Sequence, residues 1–395
     1  MKKYDFDRII PRTGTNSVKY DGVLPTFGSE DVVPLWVADM DFRCPEPVVE
    51  ALRKRVDHGI YGYTFIPESY YESLAGWLEK RYQWVISREW VVFSPGVVAA
   101  LHLAVNAFTR PGDGVIVQPP VYFPFFSAVK ENDRRLIYNR LKREGSRYTI
   151  DWDDLREKAG MGARMLLFCH PHNPVGRCWT AGELETLAEI CQEYDLLLLS
   201  DEIHADLTLP GFSHLPMAAL NREIAGRTIT CVSASKTFNL AGLATSAVII
   251  SNDGLREKFQ LFCKKVHTGT GNLFGYVAAE AAYRYGEEWL NQLLEYLSEN
   301  IMFARDFFRK YIPAIEPIPT EATYLMWLDC RKLGFSSDEL GDFMVKQAGI
   351  GLNNGAMFGP GGEGFMRLNV ACPRALLEKA LTRLRRAIDD HSSIR

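Results

Sequence analysis

An α/β fold built on a mostly parallel sheet, joined to a smaller α+β part, is predicted by three features of the 395-residue chain. Short apolar runs without polar alternation recur between residues 91 and 251, as expected of strands covered on both faces. These runs alternate with amphipathic helical patterns, the order that folds as strand, crossover helix and parallel strand. After about residue 286 the pattern changes to a helical tract, scattered strands and a final helix. The expected division is an N-terminal segment over 1–45 that joins the smaller domain, a large α/β domain over 46–285 and a small α+β domain over 286–395.

Taken in order, the first 33 residues are polar and punctuated by Gly14, Gly22, Pro25 and Gly28, which suits a segment wrapping over the surface or crossing between domains. Residues 34–42 then pack Trp36, Asp39, Asp41 and Phe42 together; the two aromatics read either as core or as the lining of a substrate mouth. Residues 47–56 and 68–83 have helical spacing, with an aromatic loop Tyr61-Gly-Tyr-Thr64 between them. A strand at 91–94 leads through Pro95 and Gly96 into an apolar helix over 97–108, whose first-turn amides would form an anion site. Strands at 115–117, 136–138, 165–169, 196–200, 228–232 and 248–250 follow, with a helix at 181–194. Further on come a helical tract over 284–311, a strand within 323–329, a helix near 337–348, strands near Ile350 and over 365–370, and a last helix over 374–390. Gly359 to Gly364 reads as a turn, because it lacks the flanking strand and helix of a phosphate loop.

Composition narrows the function classes. A formal net charge of −4 provides no basic field for a nucleic-acid backbone, so no nucleic-acid partner is expected. Met1 to Arg8 hold no apolar signal segment, and no run nears the roughly 20 residues of a membrane span, so a cytoplasmic protein without membrane contact is expected. The eight cysteines, at 44, 169, 178, 191, 231, 263, 330 and 372, include no Cys-x-x-Cys pair, and they read as reduced small hydrophobes.

The stretch Ser233-Ala-Ser-Lys236-Thr-Phe-Asn239 offers a lysine from a strand end into a polar turn. Alone, so short a motif is commonly a solvated loop charge. Its company changes the reading. Ligands collect beyond the carboxyl ends of parallel strands, and Tyr122, Asn173, Asp201 and Lys236 all follow apolar strands. An amine, hydroxyls for a phosphate and a carboxylate for a pyridinium nitrogen are the set that pyridoxal 5'-phosphate (PLP) requires. His170, His172 and His204 are weaker candidates as metal ligands, since no carboxylate or cysteine set completes a site; no metal is expected, and they read as turn or supporting residues.

The ordered motifs Trp36-Val-Ala-Asp-Met-Asp41-Phe, Tyr61-Gly-Tyr-Thr, Ser94-Pro-Gly-Val-Val98, Pro119-Pro-Val-Tyr122, His172-Asn173-Pro-Val-Gly-Arg177, Asp201-Glu-Ile-His204-Ala-Asp206, Ser233-Ala-Ser-Lys236 and Arg367-Leu-Asn-Val-Ala-Cys-Pro-Arg374 span most of the chain. With them the sequence resembles the fold-type I PLP enzymes of the class I/II aminotransferase superfamily, and within these the MalY/PatB type of carbon–sulfur lyase. The resemblance implies an aminotransferase-like fold, PLP as cofactor, an amino-acid substrate and a homodimer with shared active sites. By it, Lys236 would bind the cofactor carbonyl and remove the substrate Cα proton, and Asp201 would keep the ring nitrogen protonated. Asn173 would bond the phenolate oxygen, Tyr122 would stack on the ring and assist proton transfer, and His204 would join the cofactor pocket. The amides of Gly96, Val97 and Val98, with Ser233 and Ser235, would hold the phosphate, and Tyr61 would reach the phosphate of the neighbouring subunit. Arg367 would clamp the substrate carboxylate, with Trp36 and Ala38 on the substrate side.

Two positions depart from the general aminotransferase pattern. His204 stands three residues after Asp201, where many aminotransferases have tyrosine, and Ala244 stands eight after Lys236, where an arginine often binds phosphate. Both suit the lyase type. The expected reaction is β-elimination from cystathionine or a related cysteine-type amino acid, giving thiol, pyruvate and ammonia. Transamination is the alternative, since it uses the same carbanion, and a regulatory binding protein with secondary lyase activity is the third reading.

Overall fold

A computed structural model of the chain describes residues 3–394, with side chains to His391; the extreme ends of the expected domain spans lie outside the described residues. In chain order the strands are β1 (Val33–Pro34), β2 (Val91–Ser94), β3 (Gly114–Val117), β4 (Arg135–Tyr138), β5 (Lys142–Glu144), β6 (Arg147–Thr149), β7 (Ala163–Cys169) and β8 (Leu197–Asp201). They continue as β9 (Thr228–Val232), β10 (Ser246–Ile249), β11 (Glu316–Pro317), β12 (Leu325–Asp329), β13 (Ile350–Gly351), β14 (Asn353–Asn354) and β15 (Phe365–Asn369).

Seven strands form one sheet in the order β2-β10-β9-β8-β7-β3-β4. From β9 to β4 the neighbours are parallel, and β10 runs antiparallel to both β9 and β2. The exception has a local cause: after β9 the chain turns through the short helix Ala234–Thr237 and returns beside it without a crossover helix, which reverses the strand.

The continuous apolar runs are explained by what covers each face. Leu166, Phe168 and Leu198 pack with Leu184 and Leu187 of the helix Ala181–Glu193. Met165, Leu167 and Leu199 point the other way and pack with Leu101 and Val105 of the helix Val97–Phe108. Successive residues therefore enter two different cores, and each buried leucine contributes about 1.5–3 kcal/mol.

A second sheet, β11-β12-β15-β14, is antiparallel. The N-terminal segment reaches the same part of the chain, because β1 pairs in parallel with β13, Val33 beside Ile350. The helical tract expected over 284–311 is the helix Glu287–Tyr311, and a second helix, Leu273–Tyr285, runs directly into it. Gly286 divides them, and a Cβ there would stand 2.4 Å from Cε1 of Phe238, so the junction is pressed against the core. The helix Ser337–Asp342 passes into a π-helical turn over Phe343–Gln347.

Candidate active site

A cavity of about 180 Å³ opens beyond the carboxyl ends of β2, β7, β8 and β9. Ala38, Gly96, Val97, Val98, Tyr122, Asn173, Asp201, His204, Ser233, Ser235 and Lys236 all line it, as does Ala244. The helix Val97–Phe108 starts on this wall, and no side chain caps its first turn, which leaves its N–H groups open to an anion. The two serines are not equivalent, contrary to expectation. Ser233 caps the helix Ala234–Thr237: its Oγ accepts from Ser235 N (3.1 Å) and donates to Thr245 O (2.8 Å). Its proton is thus committed to the backbone, while Ser235 Oγ has no hydrogen-bond partner among the described residues.

Lys236 is held by a strap of the N-terminal segment. Its Nζ donates to Ala38 O (2.7 Å), a carbonyl that also accepts from Tyr324 Oη (3.0 Å). Asn239, in the left-handed region that asparagine tolerates (φ 60°), clasps the strap by accepting from Met40 N and donating to the carbonyls of Met40 and Phe42. Behind it, Lys19 and Arg12 pair with the buried Asp41 at 2.8 and 2.7 Å. Burial, helped by the charge of Arg367, pushes the Lys236 amine down to about 8, against the pull of Asp39 and Asp201. Such an amine is neutral, and nucleophilic, in a usable fraction near neutral pH.

Asp201 is buried at the end of β8. Burial pushes its carboxyl up to about 7; a bond from Ile203 N (3.1 Å) and the charge of Lys236 oppose this, and Glu202 adds to it. A cation placed in the cavity would return it to the carboxylate form. Asn173 accepts from Arg367 Nη1 at 3.1 Å, so its amide hydrogens are the atoms left to offer to a ligand. Tyr122 is held protonated by burial, which outweighs Arg367. His204 is pushed down to about 3 by burial and by the charges of Lys236 and Arg367, and its buried Nδ1 has no partner.

Three expected residues lie off the wall. Arg367 stands behind it, drawn back by Asn173, Trp36 O (3.0 Å) and Asn353 Oδ1 (2.5 Å), with its Nε buried and unpartnered. Trp36 serves through that carbonyl: its indole bonds to Lys19 O and packs edge-on against Phe27, so its ring does not line the cavity. Tyr61 does not line its own chain's cavity; it is 54% exposed and donates to Val56 O. His170 and His172 are buried turn residues whose Nε2 atoms bond to Leu215 O and Pro120 O.

The sequence model of the family described as aminotransferase class I and II matches residues 30–384. The chain belongs to that family. It is 43% identical to cystathionine beta-lyase PatB of Bacillus subtilis over 97% of this chain and all of that protein. It is 31% identical to the protein MalY of Escherichia coli, covering 98% of this chain and 99% of that one. Among solved structures, cystalysin from Treponema denticola, which contains a PLP cofactor, superposes with a TM-score of 0.95 at 38% identity, covering 98% of this chain and 100% of that one. The PLP-bound C–S lyase from Staphylococcus hominis gives 0.91 at 37% identity, covering 98% of both chains.

In this member of the aminotransferase family the wall fits the PLP expected from the sequence: uncapped amides and a free Ser235 hydroxyl suit a phosphate, a weakly basic amine suits a carbonyl, and a buried carboxyl suits a ring nitrogen. Tyr324, Asn353 and Asn239 escaped the sequence reading. The only signal for them is a polar residue in an apolar stretch, as at Asn353 beside the buried Leu352.

Proposed function

We propose that this chain is a PLP-dependent carbon–sulfur lyase that eliminates a thiol from cystathionine or a related cysteine-type amino acid. The reading is carried by the convergence of the Lys236 amine, the Asp201 carboxyl and an uncapped helix terminus on one cavity, and it is supported by the family and the names of the relatives. Bound PLP supplies the electron sink for charge at the substrate Cα. Arg367, beside Asn173, orients the substrate carboxylate. The weakly basic Lys236 amine would take the Cα proton. The C–S bond then breaks with its electron pair on sulfur, which receives a proton from Tyr122 or Lys236, and the three-carbon fragment hydrolyses to pyruvate and ammonia. Asp201, buried on the wall, would hold a proton at the ring nitrogen. Ala244, at φ 45° on the wall, supplies no cation, so the phosphate rests on the amides of Gly96 to Val98 and on Ser235.

The working unit is a homodimer. Ile60, Tyr61, Tyr63 and Phe65 form an exposed apolar loop, Phe65 at 94%, which supports covering by a second copy whose site Tyr61 would reach. On this reading the patch serves self-association rather than a regulatory partner. The division at residues 45 and 285 and a cytoplasmic location, in keeping with eight free cysteines, belong to the same proposal. The test is to supply cystathionine without any keto acid: pyruvate, ammonia and thiol should form in equal amounts. Inert sulfur substrates alongside nitrogen exchange between an amino acid and a keto acid would replace this reading by transamination.

A further inference from the structure

Asp201 and Glu202 are consecutive, and both are buried. Asp201 faces the cavity; Glu202 does not, and its contact with Ser200 places it on the opposite face of the strand. There its carboxylate meets three donors: Ser200 Oγ (2.8 Å) and Met217 N (3.0 Å) on Oε1, and His214 Nε2 (2.8 Å) on Oε2. His170 lies tilted against His214 with ring centroids 4.3 Å apart, and the Nδ1 atoms of both are buried without partners among the described residues. Tyr82 packs edge-on against His214 and bonds to Asp206, which in turn accepts from Thr237, next to Lys236.

A neutral glutamine could make the same packing. With glutamine at 202, Oε1 would still accept from Ser200 and Met217, and the side-chain amide would donate to His214 in its other tautomer, whose Nδ1 lacks a partner in either form. The shape of the pocket therefore does not require a charge, and a buried carboxylate is costly unless the charge is used. Both of its neighbours in sequence, Asp201 and Ile203, line the cavity, and of the two only Asp201 can titrate.

We propose that Glu202 is a positioning residue that acts through Asp201: its charge, held behind the sheet by Ser200, Met217 and His214, raises the proton affinity of the unit formed by Asp201 and the ring nitrogen of the cofactor. The sign follows from Coulomb's law, since a negative charge favours retention of a proton wherever in that unit it sits; burial pushes Glu202 itself up to about 7 while the bonds from Ser200 and Met217 pull it down, so these donors set how much of that charge is present. The other groups facing this region are His170 from the end of β7, His214 from the loop after β8, Tyr82 and Arg81 from the helix Glu68–Tyr82, Cys231 of β9, and Asp206 and Lys236. The histidines are held neutral by burial, so they supply hydrogen bonds and no opposing charge. The inference rests on the PLP reading.

The test compares wild type and Glu202→Gln, both loaded with PLP, by titrating the visible absorption band of the bound cofactor against pH and by melting. The variant should melt like wild type while its band loses the proton at a pH lower by about half a unit. Its kcat should fall with KM unchanged. A folded variant whose titration superimposes on that of wild type overturns the role of Glu202. Should the variant not fold, Ser200→Ala decides: losing this donor raises the Glu202 pKa further and lowers its ionised fraction, which gives a smaller shift in the same direction, and a coincident titration overturns the proposal. A wild-type protein that takes up no PLP would instead overturn the functional reading itself.

Discussion

Two buried arginines, Arg177 and Arg367, are 1% and 3% exposed, and their surroundings are opposite in character. Arg177 lies across Trp179 and is met by carboxylates: Nε bonds to Glu321 (2.9 Å), Nη2 to both oxygens of Glu183, and Nη1 to Tyr148 O. Arg367 lies over Phe358 and meets only neutral acceptors, with Nε unpaired. Lys236, in the same region, donates to a single carbonyl and makes no ion pair among the described residues. Burying a cation without its counter-ion is costly, so the first region spends its charges on the fold, and the second keeps them for a ligand.

Lys236→Ala gives the largest effect expected from this contrast. Elimination should fall by about 10⁴-fold with the loss of the general base, and borohydride should no longer fix PLP to the chain, while melting stays near wild type. Covalent labelling at another lysine in the wild type would break the assignment. In the paired region the pattern should invert. Arg177→Met should lower stability by about 1.5–3 kcal/mol, because the buried Glu321 loses its buried partner and keeps only Arg147 and Cys178 N, and the half-buried Glu183 keeps only Thr180. Full stability with lost activity would place Arg177 in the site instead.

The lysine itself offers a sharper reading by pH. Uptake of PLP by the apo-protein needs the neutral amine, whose fraction rises with pH through its pKa, so the uptake rate should climb with a midpoint near 8 rather than 10.5. A midpoint at the ordinary lysine value would show that the amine is solvated. Arg367→Lys keeps the charge but loses the fork, and steady-state kinetics should show about 1.5–3 kcal/mol less transition-state stabilisation, mostly as a higher KM, at unchanged melting temperature. Tyr61→Phe should cost the least, about 1 kcal/mol of PLP affinity. With PLP scarce enough that Tyr61→Phe is mostly unloaded, mixed dimers of Tyr61→Phe and Lys236→Ala should regain activity, and no recovery despite proven subunit exchange would return Tyr61 to its own chain.

Much of this was legible in the residues because strands with two covered faces must be apolar throughout, as over 165–169, and because side chains such as Lys236, Asp201 and Asn173 fall at their carboxyl ends. What escaped did so for physical reasons. Trp36 contributes a carbonyl, which any residue supplies, so its identity misled. Asn353 meets Arg367 across paired strands of the second sheet, and no local periodicity announces that pairing. The reversal at β10 depends on what joins two strands rather than on either strand's composition. Ser233 has the right type at the right place, yet a helix start claims its hydroxyl first.

The bond between Arg367 and Asn173 joins residues 194 positions apart, whereas Gly96 to Thr245 hold nearly the whole cavity wall. During synthesis the chain emerges from its N-terminus, so the groups suited to the cofactor are present long before Arg367 and Asn353. The groups suited to the prosthetic group and those suited to an amino acid are thus separated in time of synthesis by their order along the polypeptide.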